Sequence, residues 1–426
     1  MLVKFFRQNL SIFVITATIS LAITLIRSQG YLQSVELSTF DRMIQSRPTE
    51  PIDERIIIVG ITEADIRKYQ QYPFSDALYA ELLEKIKLQK PRVIGLDIVR
   101  DIPSPPGSQD LEEIFKTTPN LIGAGTLPKK DGNDYVKAIA FPPILKAFHK
   151  PTAPRIGDVT NPVDEDYVVR RGFLYPVRDE TAPLGMKQPP PSFESGVPSF
   201  GLAVARQYLA FEGIKAKPSP DDGWLALGKV TFYPFNFSDG GYNRPHETGY
   251  QILINWRGQA GAFKHVSVSE VIEGKIAPTL LKNRIVLIGA YAPSLKDVAF
   301  TPYIKGNPKE QPPYGVEVHA HLTSQIISAV LDERPLINVL PDWAEFLWLF
   351  VWIGVTIGGI GAARRFKNPV LNLLIVLVYC GILTYSVILI TFQIFLLGWW
   401  LPLFYVLLGI WSGSAITYAY NLNFID

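Results

Sequence analysis

Glu317, His319 and His321 stand at alternating positions in "YGVEVHAHLTSQIISAVLDERPL", from Tyr314 to Leu336, and all three are residue types that ligate metals. In an extended strand such side chains share one face and could grip a single ion. In a helix, residues two apart point about 200° away from each other, so the two histidines cannot converge. The surrounding pattern decides between these readings. Val318, Leu322 and Ile326 recur every four residues, Ala329 and Val330 continue the same face, Gly315 precedes the run and Pro335 follows it. That is a helical period, and a zinc pair on a helix needs a spacing of three or four. No metal is expected here. The other histidines, His149, His246 and His265, have no ligand-like spacing, and no cofactor is expected.

A second group of candidates follows the apolar runs. "RIIIVGI" from Arg55, "RVIGLDIV" from Arg92, "NLIGAGTL" from Asn120, "YQILINW" from Tyr250 and "RIVLIGA" from Arg284 read as strands. Several are apolar without alternation, as in a sheet covered on both faces. Between the first two lies "SDALYAELLEKIKLQKP", a helix capped by Ser75 and stopped by Pro91, with Leu78, Leu82 and Ile86 spaced by four. This strand–helix–strand unit predicts that the first two strands are parallel neighbours. Ligands of open α/β sheets bind outside the carboxyl ends of the strands. There the chain supplies Thr62, Glu63 and Asp65, then Asp97, Arg100 and Asp101, then Ser294, Lys296 and Asp297. Mixed charges on one rim suit a small polar or ionic ligand. The alternative is a set of turn caps and surface ion pairs.

The elements that must hold this rim lie between two apolar ends. The chain has 426 residues, with Lys plus Arg 41 against Asp plus Glu 39, so charge makes no case for nucleic acid. One cysteine, Cys380, excludes an internal disulfide and a multi-cysteine zinc site. Asn9 to Ile26 is an uncharged apolar run long enough to span a bilayer. A cleaved signal peptide ending near Ser20 and Ala22 is the rival, but the apolar run continues past Ala22 and favours an anchor. Further spans are predicted over Ala344–Ala362, Val370–Phe392 and Trp399–Thr417. Lys4 and Arg7 before the first span, and Arg364, Arg365 and Lys367 between two later ones, place those segments in the cytoplasm. Residues Arg27 to Trp343 then lie outside, with Trp343, Trp399 and Trp400 near the outer interface. The pairs Gly354/Gly358 and Gly409/Gly413 allow close helix packing, either within one bundle or across a homodimer seam.

Within the exported region the pattern weakens between Pro151 and Gly249, where "APLGMKQPPPSFESGVPSF" reads as a Pro-rich loop and "FGLAVARQYLAFEG" as a helix. No nucleophile elbow, phosphate loop or metal triad is present, and the glycines of "VTIGGIGAAR" fall within a span. An enzyme is therefore not expected. An extracytoplasmic enzyme and a scaffold protein remain the rival classes.

"LSTFDRMIQSRP", "ERIIIVGITEADI", "PRVIGLDIVRDIP", "NRIVLIGAYAPSLKDVAFTPY" and "YGVEVHAHLTSQII", followed at once by apolar helices, form an ordered set. The set resembles the extracellular sensory domain associated with cyclases and histidine kinases, type two (CHASE2), in its cyanobacterial form. Asp41, Gly289, Gly315 and His319 fall in the matching motifs, whereas the family often has Asn at the position of His321. Family members often precede kinase or cyclase modules. Six residues after Tyr420 cannot form one, so the resemblance implies a bacterial sensor of an unknown small-molecule or protein signal that acts on a separate kinase or cyclase. The expected architecture is a mixed α/β extracytoplasmic sensor domain (residues 27–343) with α-helical transmembrane segments. One such segment is N-terminal, within residues 1–26, and three are C-terminal, within residues 344–419. A short cytoplasmic tail (420–426) follows, in a multi-pass plasma-membrane protein.

Overall fold

Apolar runs that lack alternation become strands buried on both faces, because only such strands can be apolar on both sides. The computed structural model describes residues 2–131, 134–136, 138–176, 196–236, 238–243, 249–306, 310–363 and 368–422. The loop holding Arg364, Arg365 and Lys367, the tail residues 423–426, His246 and most of the Pro-rich segment lie outside the described residues, as do the side chains of Lys4 and Arg7.

The principal elements in chain order begin with α1 (Leu2–Ser28), α2 (Gln33–Gln45), β1 (Ile56–Ile61), α3 (Glu63–Tyr69), α4 (Asp76–Leu88) and β2 (Val93–Val99). Then come α5 (Ser108–Thr117), β3 (Leu121–Gly125), α6 (Pro143–Ala147), β4 (Ile156–Asp158), β5 (Arg171–Tyr175) and α7 (Phe200–Ala210). The run closes with β6 (Tyr250–Leu253), β7 (Lys264–Ser267), α8 (Val268–Ile272), β8 (Ile285–Ala290), α9 (Gly315–Leu331), α10 (Asp342–Ala363), α11 (Pro369–Leu396) and α12 (Phe404–Leu422). They form two compact units. One comprises Pro48–Phe235 and His246–Leu336, the other Met1–Arg47, Asn236–Pro245 and Ile337–Asp426.

The first unit is built on a six-stranded sheet in the order β7-β1-β8-β2-β3-β4, parallel throughout. The expectation that β1 and β2 are neighbours is corrected here: β8, from much later in the chain, pairs with both. A local strand–helix–strand unit sets the direction of its two strands, but it does not prevent a third strand from inserting between them. The run from Tyr250 is a strand, but it pairs antiparallel with β5 outside this sheet.

Side chains alternate across the sheet, so each strand feeds two cores. Ile56 and Ile58 of β1, Val93 of β2 and Ile285 and Leu287 of β8 pack with Phe200 and Val204 of α7 and with Val316 and Ala320 of α9. Ile57 and Val59 of β1, Ile94 and Leu96 of β2 and Val286 and Ile288 of β8 pack instead with Leu82 and Ile86 of α4, Ile114 of α5 and Val268 of α8. Ser75 and Ser199 cap α4 and α7 by accepting the N–H of Leu78 and of Leu202.

In the second unit, Ile19 and Ile23 of α1, Leu349 and Ile353 of α10, Cys380 of α11 and Val406 and Ile410 of α12 form one apolar cluster. Helix α10 over Asp342–Gly361 and helix α11 are each long and apolar enough to cross a membrane. Ile12–Ser28 and Gln33–Gln45 reach that standard only together, as a pair bent by 91°, and Phe404–Ala419 is a shorter apolar helix. The segment expected to span from Trp399 instead opens with a two-residue strand, Trp399–Trp400, paired with Asn338–Val339. Its helix begins only after Pro402, which has no N–H to give. Trp400 is also corrected: it is fully buried against Phe40 and Tyr242 rather than facing an interface. Of the four glycines singled out, Gly409 makes a close approach, since a Cβ there would fall 2.7 Å from Ile353 Cγ1, whereas Gly358 has open space around it.

Gly289 of β8 lets α9 lie directly on the sheet, since a Cβ there would stand 2.6 Å from the Val316 Cβ. Gly289→Ala should therefore lower stability by about 1–3 kcal/mol through overpacking. A reduced urea midpoint with an unchanged slope is the expected result.

Candidate functional site

The two-residue period of β2 divides the predicted rim. Asp97 follows Val93 and Gly95 on the face covered by α7 and α9, whereas Ile94, Leu96 and Ile98 point toward α4 and α5. Arg100 is also three residues from Asp97, and its guanidinium pairs with Asp76 at the start of α4 and lies over the Tyr79 ring. Burial lowers its pKa, and Asp101 nearby raises it. Asp76, Arg100 and Asp101 line a separate cavity of about 100 Å³ with Leu111, Phe115 and Ile144.

Several other predicted residues are end caps. Asp65 accepts the Thr62 N–H at 2.8 Å and the Thr62 hydroxyl at 2.6 Å, and its second oxygen accepts the Ser269 N–H at 2.8 Å. Glu63 accepts the Ser294 N–H at 2.8 Å, and hydrogen bonding from the Ser294 side chain first, then from its backbone, holds the Glu63 carboxyl below the usual range. Lys296 is exposed and adopts a left-handed conformation at φ 54°. These residues tie the loops at the carboxyl ends of β1 and β8 to α3 and α8. They realise the cap reading.

Asp97 and Asp297 do come together, and His319 joins them. In the sheet Asp97 stands opposite Gly289, and His319 lies one turn into α9, whose start is bound by the Gly315 N–H donating to the Asp297 carbonyl at 3.1 Å. Gly315 is needed for room, because a Cβ there would fall 2.6 Å from the Asp297 Oδ1. His319 Nε2 lies 4.0 Å from the Asp97 Oδ2, and the His319 ring meets the Phe200 ring edge-on at 5.3 Å. The Asp97 side chain is 10 % exposed and that of His319 4 %. Among the described residues neither makes a side-chain hydrogen bond, and no lysine or arginine pairs with Asp97 or Asp297. Buried polar groups are seldom left so.

Charge adjusts accordingly. Burial pushes the Asp97 carboxyl up to about 7. Burial lowers His319 to about 4, against the opposite pull of Asp297 and Asp158. Asp297, at the exposed rim, is raised by desolvation and by Asp97, with His319 opposing. Tyr72 is raised first by burial and then by the charges of Asp297 and Asp97. Asp158 at the end of β4 is itself fully engaged, accepting the N–H groups of Leu127 and Thr160 at 2.6 and 2.8 Å.

His321 points elsewhere, as a helix requires. Its Nδ1 accepts the Arg257 N–H at 3.3 Å, and its ring contacts Trp256 and Phe263. Glu317 accepts the N–H groups of Gly261 at 2.7 Å and Tyr314 at 3.0 Å. Among the described residues no group of three or more His, Cys, Asp or Glu could hold a metal ion. Asp41 is buried on α2 in the other unit and takes no part in this site.

The sequence pattern did not link His319 to the aspartates. A lone carboxylate inside the apolar strand "VIGLDIV" was the available sign that Asp97 differs from its neighbours.

A family model for the CHASE2 domain matches residues 18–358. The chain belongs to the CHASE2 domain family, a sensory rather than a catalytic family. No curated protein matches the chain, and no solved structure matches it.

The titrations have opposite signs. Asp97 is raised from 3.8 to about 7, so the folded chain keeps a proton that the unfolded chain has released, and stability falls as pH rises across that window. His319 is lowered from 6.5 to about 4, so stability is lost as pH falls through that range. Asp97→Asn should remove the first slope and raise Tm at pH 8 by roughly 3–8 °C. Below pH 6.5 the variant should lose stability with acid more steeply than wild type, because the opposing titration of Asp97 is gone while that of His319 remains. A Tm equal to wild type at pH 8 would contradict the burial of an ionised Asp97.

Proposed function

We propose that this chain is a membrane-bound sensor that binds a small extracytoplasmic signal at Asp97, Asp297 and His319 and relays it to a separate kinase or cyclase. The observation that carries this reading is the pair of largely buried side chains, Asp97 and His319, which make no side-chain hydrogen bond among the described residues at the carboxyl edge of a parallel sheet. Stabilising such groups calls for a partner, and that edge is where open α/β sheets bind ligands.

The relay follows the chain. Helix α9 carries His319 near its start and ends at Leu331, and α10 begins at Asp342. Within the helical unit, Arg27 at the end of α1 pairs with Glu345 of α10, and its Nη2 lies 4.0 Å from the Asp342 Oδ1. The first helix and the helix that follows the sensor domain are thus joined where a shift of one would be felt by the other. α1, α10, α11 and α12 are read as the spans, with the basic segments in the cytoplasm and the α/β unit outside the plasma membrane.

Cysteines at Ser28 and Asp342, in a Cys380→Ala background, should crosslink through a bifunctional maleimide at a rate that changes at least about twofold with one fraction of a growth-medium extract. The same pair combined with Asp97→Asn should not respond. A rate unchanged across all fractions, or a response that survives Asp97→Asn, would overturn the relay from this site. Protease added outside intact cells should cleave between residues 48 and 336. Protection of that region there, with cleavage in inverted vesicles, would reverse the orientation.

A further inference from the structure

We infer that the ligand of the Asp97, Asp297 and His319 cluster is a small primary amine bound as its ammonium ion, an inference that rests on this cluster being the sensory site. The chemistry of the three acceptors selects it. Two carboxylates lie near the His319 ring with no lysine or arginine paired to either among the described residues, and Asp158 lies near enough to act on His319. Such a setting favours a cation.

The kind of cation follows from geometry. No described group of three His, Cys, Asp or Glu is arranged to hold a metal ion, and Nε2 of His319 is 4.0 Å from the Asp97 oxygen. A metal ion needs several ligands together at about 2.0–2.6 Å, and no described set of three supplies them. An ammonium group reaches acceptors at about 2.7–2.9 Å. Its three N–H donors match the Asp97 carboxylate, the Asp297 carboxylate and the imidazole Nε2 one to one. His319 must be neutral, with its proton on Nδ1, to accept; burial favours the neutral ring. The apolar Phe200 ring beside His319 offers a wall for a short hydrocarbon body.

The same chemistry could come from a simple alkylamine or from the α-amino group of an amino acid. An amino acid also brings a carboxylate, which the Asp97 and Asp297 carboxylates would repel. The alkylamine is therefore the favoured source.

Calorimetric titration of the full chain in detergent at pH 7.5 tests this with n-butylamine, norleucine, tetramethylammonium and calcium. Butylamine should bind with one site, and Asp97→Asn and Asp297→Asn should each weaken it by about tenfold or more. Norleucine and tetramethylammonium should bind at least about tenfold more weakly, the latter for want of N–H donors. Asp297 lies at the exposed rim, so Asp297→Asn keeps the test intact if Asp97→Asn fails to fold. Tighter norleucine binding would overturn the choice of source. Calcium binding that needs Asp97, tetramethylammonium binding equal to butylamine, or butylamine binding indifferent to both variants would overturn the ammonium assignment. Absence of butylamine binding would also overturn it. In that case the extract-dependent crosslinking response, lost in Asp97→Asn, would still stand for the sensory site itself.

Discussion

Each strand of the parallel sheet is covered on both faces, so every side chain along it belongs to one of two cores, and a step of one residue changes which. The consequence is sharpest on β2. Val93 and Ile94 enter opposite cores, and by the same alternation Asp97 is directed toward α7 and α9 while Arg100 reaches Asp76 at the start of α4. A carboxylate and a guanidinium three residues apart in the chain, which might have neutralised each other in a loop, are kept apart by the sheet. Asp97 is left largely buried, with the His319 imidazole and the Asp297 carboxylate as its charged or titratable neighbours.

That arrangement opposes stability. A carboxylate buried without hydrogen bonds or a cation favours its protonated form, and the fold holds it there because the sheet register and the close approach of α9 over Gly289 leave it no alternative position. Such tension between local preference and tertiary placement is most often found at functional sites. The neighbouring caps behave differently: Asp65, Glu63 and Glu317 all accept backbone N–H groups and fix loops and helix starts. They set a firm frame around two groups that lack partners.

The helical unit has its own polar joints. Glu36 of α2 accepts the N–H groups of Leu403 at 2.8 Å and Phe404 at 2.9 Å, which are free at the start of α12. Arg27 donates to the Gly240 carbonyl at 2.7 Å while pairing with Glu345. Trp400 fills the space over Gly240, where a Cβ would fall 2.4 Å from its ring. These polar joints fix the helices in register at one end, which is a requirement for passing a displacement from one to another.

The sequence by itself determined the local elements. Unbroken apolar runs marked the buried strands, the four-residue spacing around Val318, Leu322 and Ile326 made a helix of the histidine segment, and that helix excluded a shared metal for His319 and His321. These features are legible because period and capping act over a few residues. The order of the sheet, with β8 between β1 and β2, was decided only by the tertiary structure, since strands far apart in the chain compete for the same edge. So was the composition of the site. Three segments supply Asp97, Asp297 and His319. Glu63, Asp65, Ser294 and Arg100 have the same chemistry on paper but are consumed by caps and an ion pair. Whether a charged group is satisfied depends on what packs against it, and no spacing along the chain records that.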